Sequence, residues 1–207
     1  GLYGNNLIAA TGVGRGWKPY GPPRKVTKSE KNVVLELDDK PALPLYKMYI
    51  GEHASKIFPG SGLSFPFAII KEGGRDIEKI RTVLSIDNAN NSLTFAGNVE
   101  EGGTVRFCQA THDRLVDGAG DAAHLVADHT STGQTGLAVC VSCVGRKGVM
   151  AAQVADEIKL VHQILGAQTA LTGFYSYGEF APRPDTSDSV LHNQTMTIGY
   201  LSENLLA

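Results

Sequence analysis

The chain has 207 residues, with 19 Lys and Arg against 21 Asp and Glu for a formal net charge of −2. With no Lys/Arg cluster longer than a pair, it lacks the electrostatic footprint of a nucleic-acid binder or a basic membrane patch. Three Cys cannot make a full disulfide framework, and neither a signal peptide nor an apolar run of roughly 18 residues is present, so a soluble, cytoplasmic chain is expected.

Residues 1–16 carry Gly1, Gly4, Gly12, Gly14 and Gly16 around the strand-like run Leu7-Ile8-Ala9-Ala10. That composition suits an extended segment where backbones approach closely. It also reads as the middle of a fold, so a larger N-terminal part is expected ahead of Gly1. Trp17-Lys18-Pro19-Tyr20-Gly21-Pro22-Pro23 punctuates the chain, with Trp17 packing at a strand end. Arg24 to Leu37 reads as strand, turn, strand, closed by Asp38-Asp39-Lys40-Pro41. Pro41 to Glu52 then reads as a helix, with Pro in the first turn and an apolar stripe of Leu45, Met48 and Tyr49.

After a loop from Phe58 to Gly62 come four β segments: Phe65 to Ile70, Ile80 to Ile86, Leu93 to Ala96 and Thr104 to Ala110. Their short connections, at Glu72-Gly73-Gly74, Asp87 to Asn91 and Glu101-Gly102-Gly103, imply an antiparallel meander. Arg114 to Asp128 has helical spacing, weakened by Gly118 and Gly120, and a polar loop follows from Thr130 to Gly136. Leu137 to Val144 is the continuous apolar run of a central strand. It ends in the turn Gly145-Arg146-Lys147-Gly148, ahead of a long amphipathic helix from Ala151 to Leu165. Ala151, Val154, Ile158, Val161 and Leu165 are expected on its apolar face, with Gln153, Asp156, Glu157, Lys159 and Gln163 on the polar one. The architecture expected is α+β: a mostly antiparallel, mixed sheet of six to eight strands with two longer helices packed on it, a layered α/β sandwich.

The last stretch is the most informative. Gly173-Phe174-Tyr175-Ser176-Tyr177-Gly178-Glu179 and Leu191-His192-Asn193-Gln194-Thr195 carry polar groups that are costly to bury unless each finds a partner. Either they satisfy one another or a ligand completes them. By alternation along a strand from Leu191 to Leu201, His192, Gln194, Met196 and Ile198 share one face; Asn193, Thr195, Thr197 and Gly199 share the other. Arg146, flanked by Gly145 and Gly148 where a strand hands over to a helix, suits a carboxylate or phosphate. A solvated Arg at a helix start is the plain alternative. Glu179 is either a surface residue, paired with Arg146, or left for a cation such as an amine. Cys140-Val141-Ser142-Cys143 does not read as a redox or zinc motif: Cys140 sits inside an apolar strand and a second ligand pair is missing. Cys143 stands where it can see a pocket.

These residues together resemble the FIST family. The resemblance is carried by Gly16-Trp17-Lys18-Pro19 with Gly21-Pro22, Val26-Thr27, Leu37-Asp38 with Pro41-Ala42, Arg81, Ser142-Cys143-Val144-Gly145-Arg146, Glu157, and the two C-terminal runs quoted above. It implies that residues 1–42 are the tail of a FIST N-terminal half and 43–207 the FIST C-terminal domain. It further implies a bacterial sensory module of signal transduction that takes small molecules such as amino acids and speaks to an output domain or partner protein. On that reading Cys143, Gly145, Arg146, Tyr177, Glu179, His192, Asn193 and Thr195 are the ligand-binding candidates, with Arg146 and the Gly145 region on a carboxylate, Glu179 on the amine, and Tyr177 with Asn193 fixing orientation. No catalytic residue and no metal are expected, and a homodimer is open. Relatives described as haem-binding nitric-oxide sensors make His192 a candidate axial ligand, and relatives linked to F-box segments make protein recognition the other alternative. A hydrolase would need Cys143 and His192 within hydrogen-bond reach.

Overall fold

A computed structural model describes residues 1–71, 73, 76–130, 135–182 and 188–204. The turn residues Glu72 and Gly74, positions 131–134 of the Thr130–Gly136 loop, and the loop carrying Pro184 lie outside them. In chain order the elements are β1 (Leu7–Gly14), β2 (Lys18–Glu30), β3 (Val33–Leu37), β4 (Lys40–Pro41), α1 (Ala42–Lys56), a 3₁₀ turn (Gly60–Ser64), β5 (Phe67–Ile70), β6 (Ile77–Arg81) and β7 (Val83–Asp87). They continue with β8 (Ser92–Phe95), β9 (Thr104–Gln109), α2 (His112–Ala127), β10 (Gly136–Cys143), α3 (Val144–Met150), a 3₁₀ turn (Ala151–Gln153), α4 (Ala155–Leu165), β11 (Thr169–Ser176), β12 (Glu179–Pro182), β13 (Ser189–His192) and β14 (Met196–Glu203). Two compact units result: one of Gly1–Gly16, Thr111–Leu191 and Thr195–Ala207, the other of Trp17–Ala110 with His192–Gln194. The fold class is α+β with mostly antiparallel sheets, as expected, but the expected single sheet is divided between the units.

The Trp17–Ala110 unit holds an antiparallel sheet in the order β6-β5-β9-β2-β3-β8-β7, with β4 beside β3. Expected to break the chain, Pro19, Pro22 and Pro23 instead lie within β2, whose pairing passes from β9 to β3 with a register shift between Tyr20 and Arg24. Proline cannot donate to a ladder, and a shift in register is where none is needed. The segment from Ile80 to Ile86 is two strands divided at Thr82, one paired with β5 and one with β8. The order is therefore not a simple meander. Phe67, Phe95, Phe107 and Tyr46 fill the core, and the Tyr49 ring stacks on Phe107 at 4.0 Å between centroids. Helix α1 buries Leu43, Tyr46 and Ile50, while Met48 of the expected stripe is 67% exposed. Its helical geometry is interrupted at Gly51, which has a φ of 81°.

The other unit holds the four-stranded sheet β1-β14-β10-β11. Strand β10 is central, antiparallel to β14 and parallel to β11. A parallel neighbour demands a crossover, and α3, the 3₁₀ turn and α4 supply it. The turn expected at Gly145–Gly148 is thus the body of α3, which ends at Ala151 with a φ of 50°, and the helix expected from Ala151 starts with a 3₁₀ turn and is α-helical from Ala155. Helix α4 buries Glu157 and Val161, and Ile158, expected on the buried face, is 37% exposed. The helix face of the sheet packs Ala10, Ala138, Cys140, Met196, Ile198 and Tyr200 against Ala119, Ala122, Ala123, Val126 and Val161. Helix α2 lies almost backbone to backbone on β1. A Cβ added at Gly14 would run into the Gly118 carbonyl oxygen, and one at Gly12 into that of Ala122. Gly118, expected to weaken this helix, is therefore what lets it approach.

The opposite face is partly exposed. By alternation and register it presents Val13, Thr11 and Ala9 from β1, Thr195 just ahead of β14 with Thr197, Gly199 and Leu201 in it, Cys143, Val141, Val139 and Leu137 from β10, and Ser176, Phe174 and Thr172 from β11. Phe174 is 63% and Leu137 40% exposed, and a Cβ added at Gly199 meets nothing within 4 Å. Among the described residues no helix is long and apolar enough to cross a membrane.

The two faces give a direct comparison by equilibrium unfolding in urea. Gly14→Ala should cost about 3 kcal/mol because the clash is with backbone, while Gly199→Ala should stay within about 0.5 kcal/mol.

Candidate ligand site on the open sheet face

Arg146 and Glu179, expected to share one hollow, have separate partners. Arg146 is wholly buried in α3. Its Nε and Nη2 donate to Glu157 Oε2 at 3.3 and 2.8 Å, its Nη1 to the Arg15 carbonyl at 2.6 Å, and its Nη2 also to the Leu115 carbonyl at 2.7 Å. Both side chains of the Arg146–Glu157 pair are 0% exposed. The Tyr175 hydroxyl donates to the other Glu157 oxygen at 3.1 Å, and burial beside that carboxylate pushes the phenol up to about 12. Four of the five guanidinium N–H groups are taken inside the protein, and with the side chain 0% exposed Arg146 is not open to a ligand carboxylate. The expected role of Arg146 is corrected to a structural one. Glu157, placed on the polar face of its helix by sequence, is the partner that makes it so; its spacing of four from Val161 was the available signal.

Glu179 opens β12, which lies against β1 and β10. Its side chain reaches the open face. Ser176 Oγ donates to Oε1 at 2.7 Å, Thr195 Oγ1 to Oε2 at 2.9 Å, and the Thr195 N–H approaches Oε2 at 3.5 Å. The Cys143 thiol is a further donor. Glu179 is 2% exposed, and among the described residues none of its hydrogen bonds comes from a Lys, Arg or His. Burial pushes its pKa above the ordinary 4.5, against the Ser176, Thr195 and Cys143 donors that pull it down. Thr195 Oγ1 also stands 3.5 Å from Thr197 Oγ1. Of the sequence candidates, the structure therefore brings together Cys143, Glu179 and Thr195, and adds Ser176, three residues before Glu179, which sequence reasoning passed over.

The others stand apart from this cluster. Gly145 is buried within α3. Tyr177 is 86% exposed, and among the described residues its hydroxyl contacts none of the other candidates. His192 and Asn193 group with the Trp17–Ala110 unit. The strand expected to run unbroken from Leu191 to Leu201 is divided by Gln194, whose φ is 63°. Gln194 is held there by Trp17 Nε1 donating to its carbonyl at 3.1 Å and by its own amide donating to the Leu63 carbonyl at 2.9 Å. The alternation that put Asn193 on the Thr195 face is thereby lost. Asn193 turns its amide back on the His192 carbonyl at 3.0 Å. His192 is 1% exposed and does not offer an accessible ring to a haem iron. Among the described residues no three His, Cys, Asp or Glu side chains are grouped to hold a metal.

Comparison with known families decides what kind of domain carries this face. Residues 42–182 match the FIST C domain, and residues 1–40 match the FIST N domain. The chain belongs to the FIST family. FIST domains are sensory domains of signal-transduction proteins. No curated protein and no solved structure matches the chain. The FIST C match spans both compact units, and the FIST N match contributes β1, the edge strand of the open face.

Arg146→Ala should destabilise the protein by about 3–5 kcal/mol in urea unfolding, since it leaves Glu157 buried without its counter-charge. A loss below about 1 kcal/mol would contradict the assignment. For Glu179 the raised pKa sets the opposite test. A neutral carboxyl is favoured in the folded state, so its contribution is fully present below pH 4.5 and is lost as pH rises through the raised value. Glu179→Gln should remove that loss, becoming more stable relative to wild type as pH rises from below 4.5.

Proposed function

We propose that this FIST chain is a non-catalytic sensory module that takes a small amine, an amino acid or its derivative among them, with the cationic group against Glu179. One observation carries the reading: a carboxylate that is 2% exposed has hydroxyl, thiol and amide donors but no cationic partner among the described residues. Burying an unpaired charge is costly, and an ammonium would offset that cost. Ser176 and Thr195 give their protons to Glu179, which leaves their oxygen lone pairs free to accept from the same ammonium. The half-buried Val141 and the exposed Phe174 supply the apolar wall for the rest of the ligand. With Arg146 committed to Glu157, the ligand is recognised by its amine end and not as a zwitterion between two charges.

The Cys143 thiol is directed at a carboxylate and is 4% exposed, which supports binding over nucleophilic chemistry. A signalling output domain or partner protein would read the bound state. Calorimetric titration against a panel of amino acids, their methyl esters and their N-acetyl derivatives tests the proposal. Binding should survive esterification, vanish on N-acetylation, and fall at least tenfold in Glu179→Gln, a loss of about 1.4 kcal/mol. Absence of heat with every member, or unchanged binding in Glu179→Gln, refutes it.

A further inference from the structure

The helix side of the same sheet holds a second, separate hollow. It measures about 270 Å³ and is walled by Cys140 and Ser142 of β10, residues 171–175 of β11, and Ile158 of α4. Gly173 stands opposite Cys140 in the parallel register, and the two backbones lie so close that a Cβ added at Gly173 would run into the Cys140 carbonyl oxygen. Two further observations concern what the hollow would hold. Ser142 is 3% exposed, and its Oγ, on the helix face of β10, has no hydrogen-bond partner among the described residues. Ile158, an aliphatic side chain at the wall, remains 37% exposed.

A buried hydroxyl without a partner is an uncommon cost in a folded chain. Water is a poor remedy here, because a held water needs two to four polar partners and, besides Ser142, the helix-face side chains at the wall are aliphatic, a thiol or, in Tyr175, already engaged. Tyr175 gives its hydroxyl to Glu157. Burial pushes the Cys140 thiol up to about 11, so it faces the hollow as a neutral group. None of the lining residues is charged, and Glu157 behind Tyr175 is matched by Arg146. We infer that the hollow between β11 and α4 is a binding site for a small, neutral, mostly apolar molecule bearing one hydroxyl or carbonyl group, which Ser142 Oγ recognises while Ile158 and Leu171 cover its apolar part. The site differs from the amine site in its polar group, since Ser142 and Cys143 are neighbours in β10 whose side chains serve opposite faces of the sheet, while Phe174 borders both.

Amide-resolved NMR titration of the full chain with benzyl alcohol tests this, with toluene as the analogue lacking the hydroxyl. Benzyl alcohol should shift the Ser142 and Gly173 amides and bind about fivefold more weakly to Ser142→Ala, the measure of one hydrogen bond. Toluene should bind wild type about as weakly as benzyl alcohol binds that variant. Ile158→Trp, which fills the hollow from α4, should abolish the shifts, and Leu171→Phe, which narrows it from β11, gives the same reading should the first variant fold poorly. Glu179→Gln should leave benzyl alcohol binding unchanged, which separates a failure of this site from a failure of the amine site. Absence of shifts at Ser142 and Gly173, or shifts that persist in both filled variants, overturns the inference.

Discussion

One guanidinium organises the unit built on the four-stranded sheet. Arg146 takes the end of β1 through the Arg15 carbonyl, α2 through the Leu115 carbonyl and α4 through Glu157, and Glu157 in turn receives β11 through Tyr175. Three segments are thus fixed to one wholly buried planar group, and a fourth to its carboxylate partner. Removing a single partner would strand a charge in a low-dielectric interior, where the penalty is several kcal/mol per ion, on the order of the stability of a small domain. The pair need not raise net stability above that of an apolar replacement. What it specifies is where α3 and α4 sit on the sheet.

That commitment decides the chemistry of the other face. With the guanidinium enclosed on the helix side, Glu179 is left to hydroxyl, thiol and amide donors on the open side, and burial holds its carboxyl above the usual range. In the proposed reading, one raised acid with no cationic partner among the described residues would favour a ligand that brings its own positive charge. The open face extends from this cluster along β10 and β14, with Phe174, Val141 and Thr197 placed by register around it. β1, which falls in the FIST N match, completes the sheet edge, so the face is assembled from both parts of the family's sequence.

Much of this arrangement was legible in the chain. The continuous apolar run gave a central strand, the Gly-rich start gave a segment of close backbone approach, and the polar load around Glu179 and Thr195 marked a buried cluster. Three things were not legible, each for a local reason. Glu157 reads as a solvent residue because nothing nearby in sequence shows the guanidinium that neutralises it. Ala151 ends α3 and delays the next helix to Ala155 through a left-handed φ of 50°, which a non-glycine residue does not announce. Gln194 divides the last strand in the same way, moving Asn193 off the face that alternation assigned it. The strands around Ile80 to Ile86 show the converse limit: periodicity locates β structure but not which of two neighbours each half will join.

The central claim is that the Glu179 carboxyl is an uncompensated acid awaiting a cation. Carbon-detected NMR titration of that carboxyl, alone and with saturating methylammonium, tests it most directly. The midpoint should lie above 4.5 in the free protein and fall when the amine is present, since a bound cation favours the ionised form. A midpoint at or below 4.5 in the free protein, or one that methylammonium leaves in place, would contradict it.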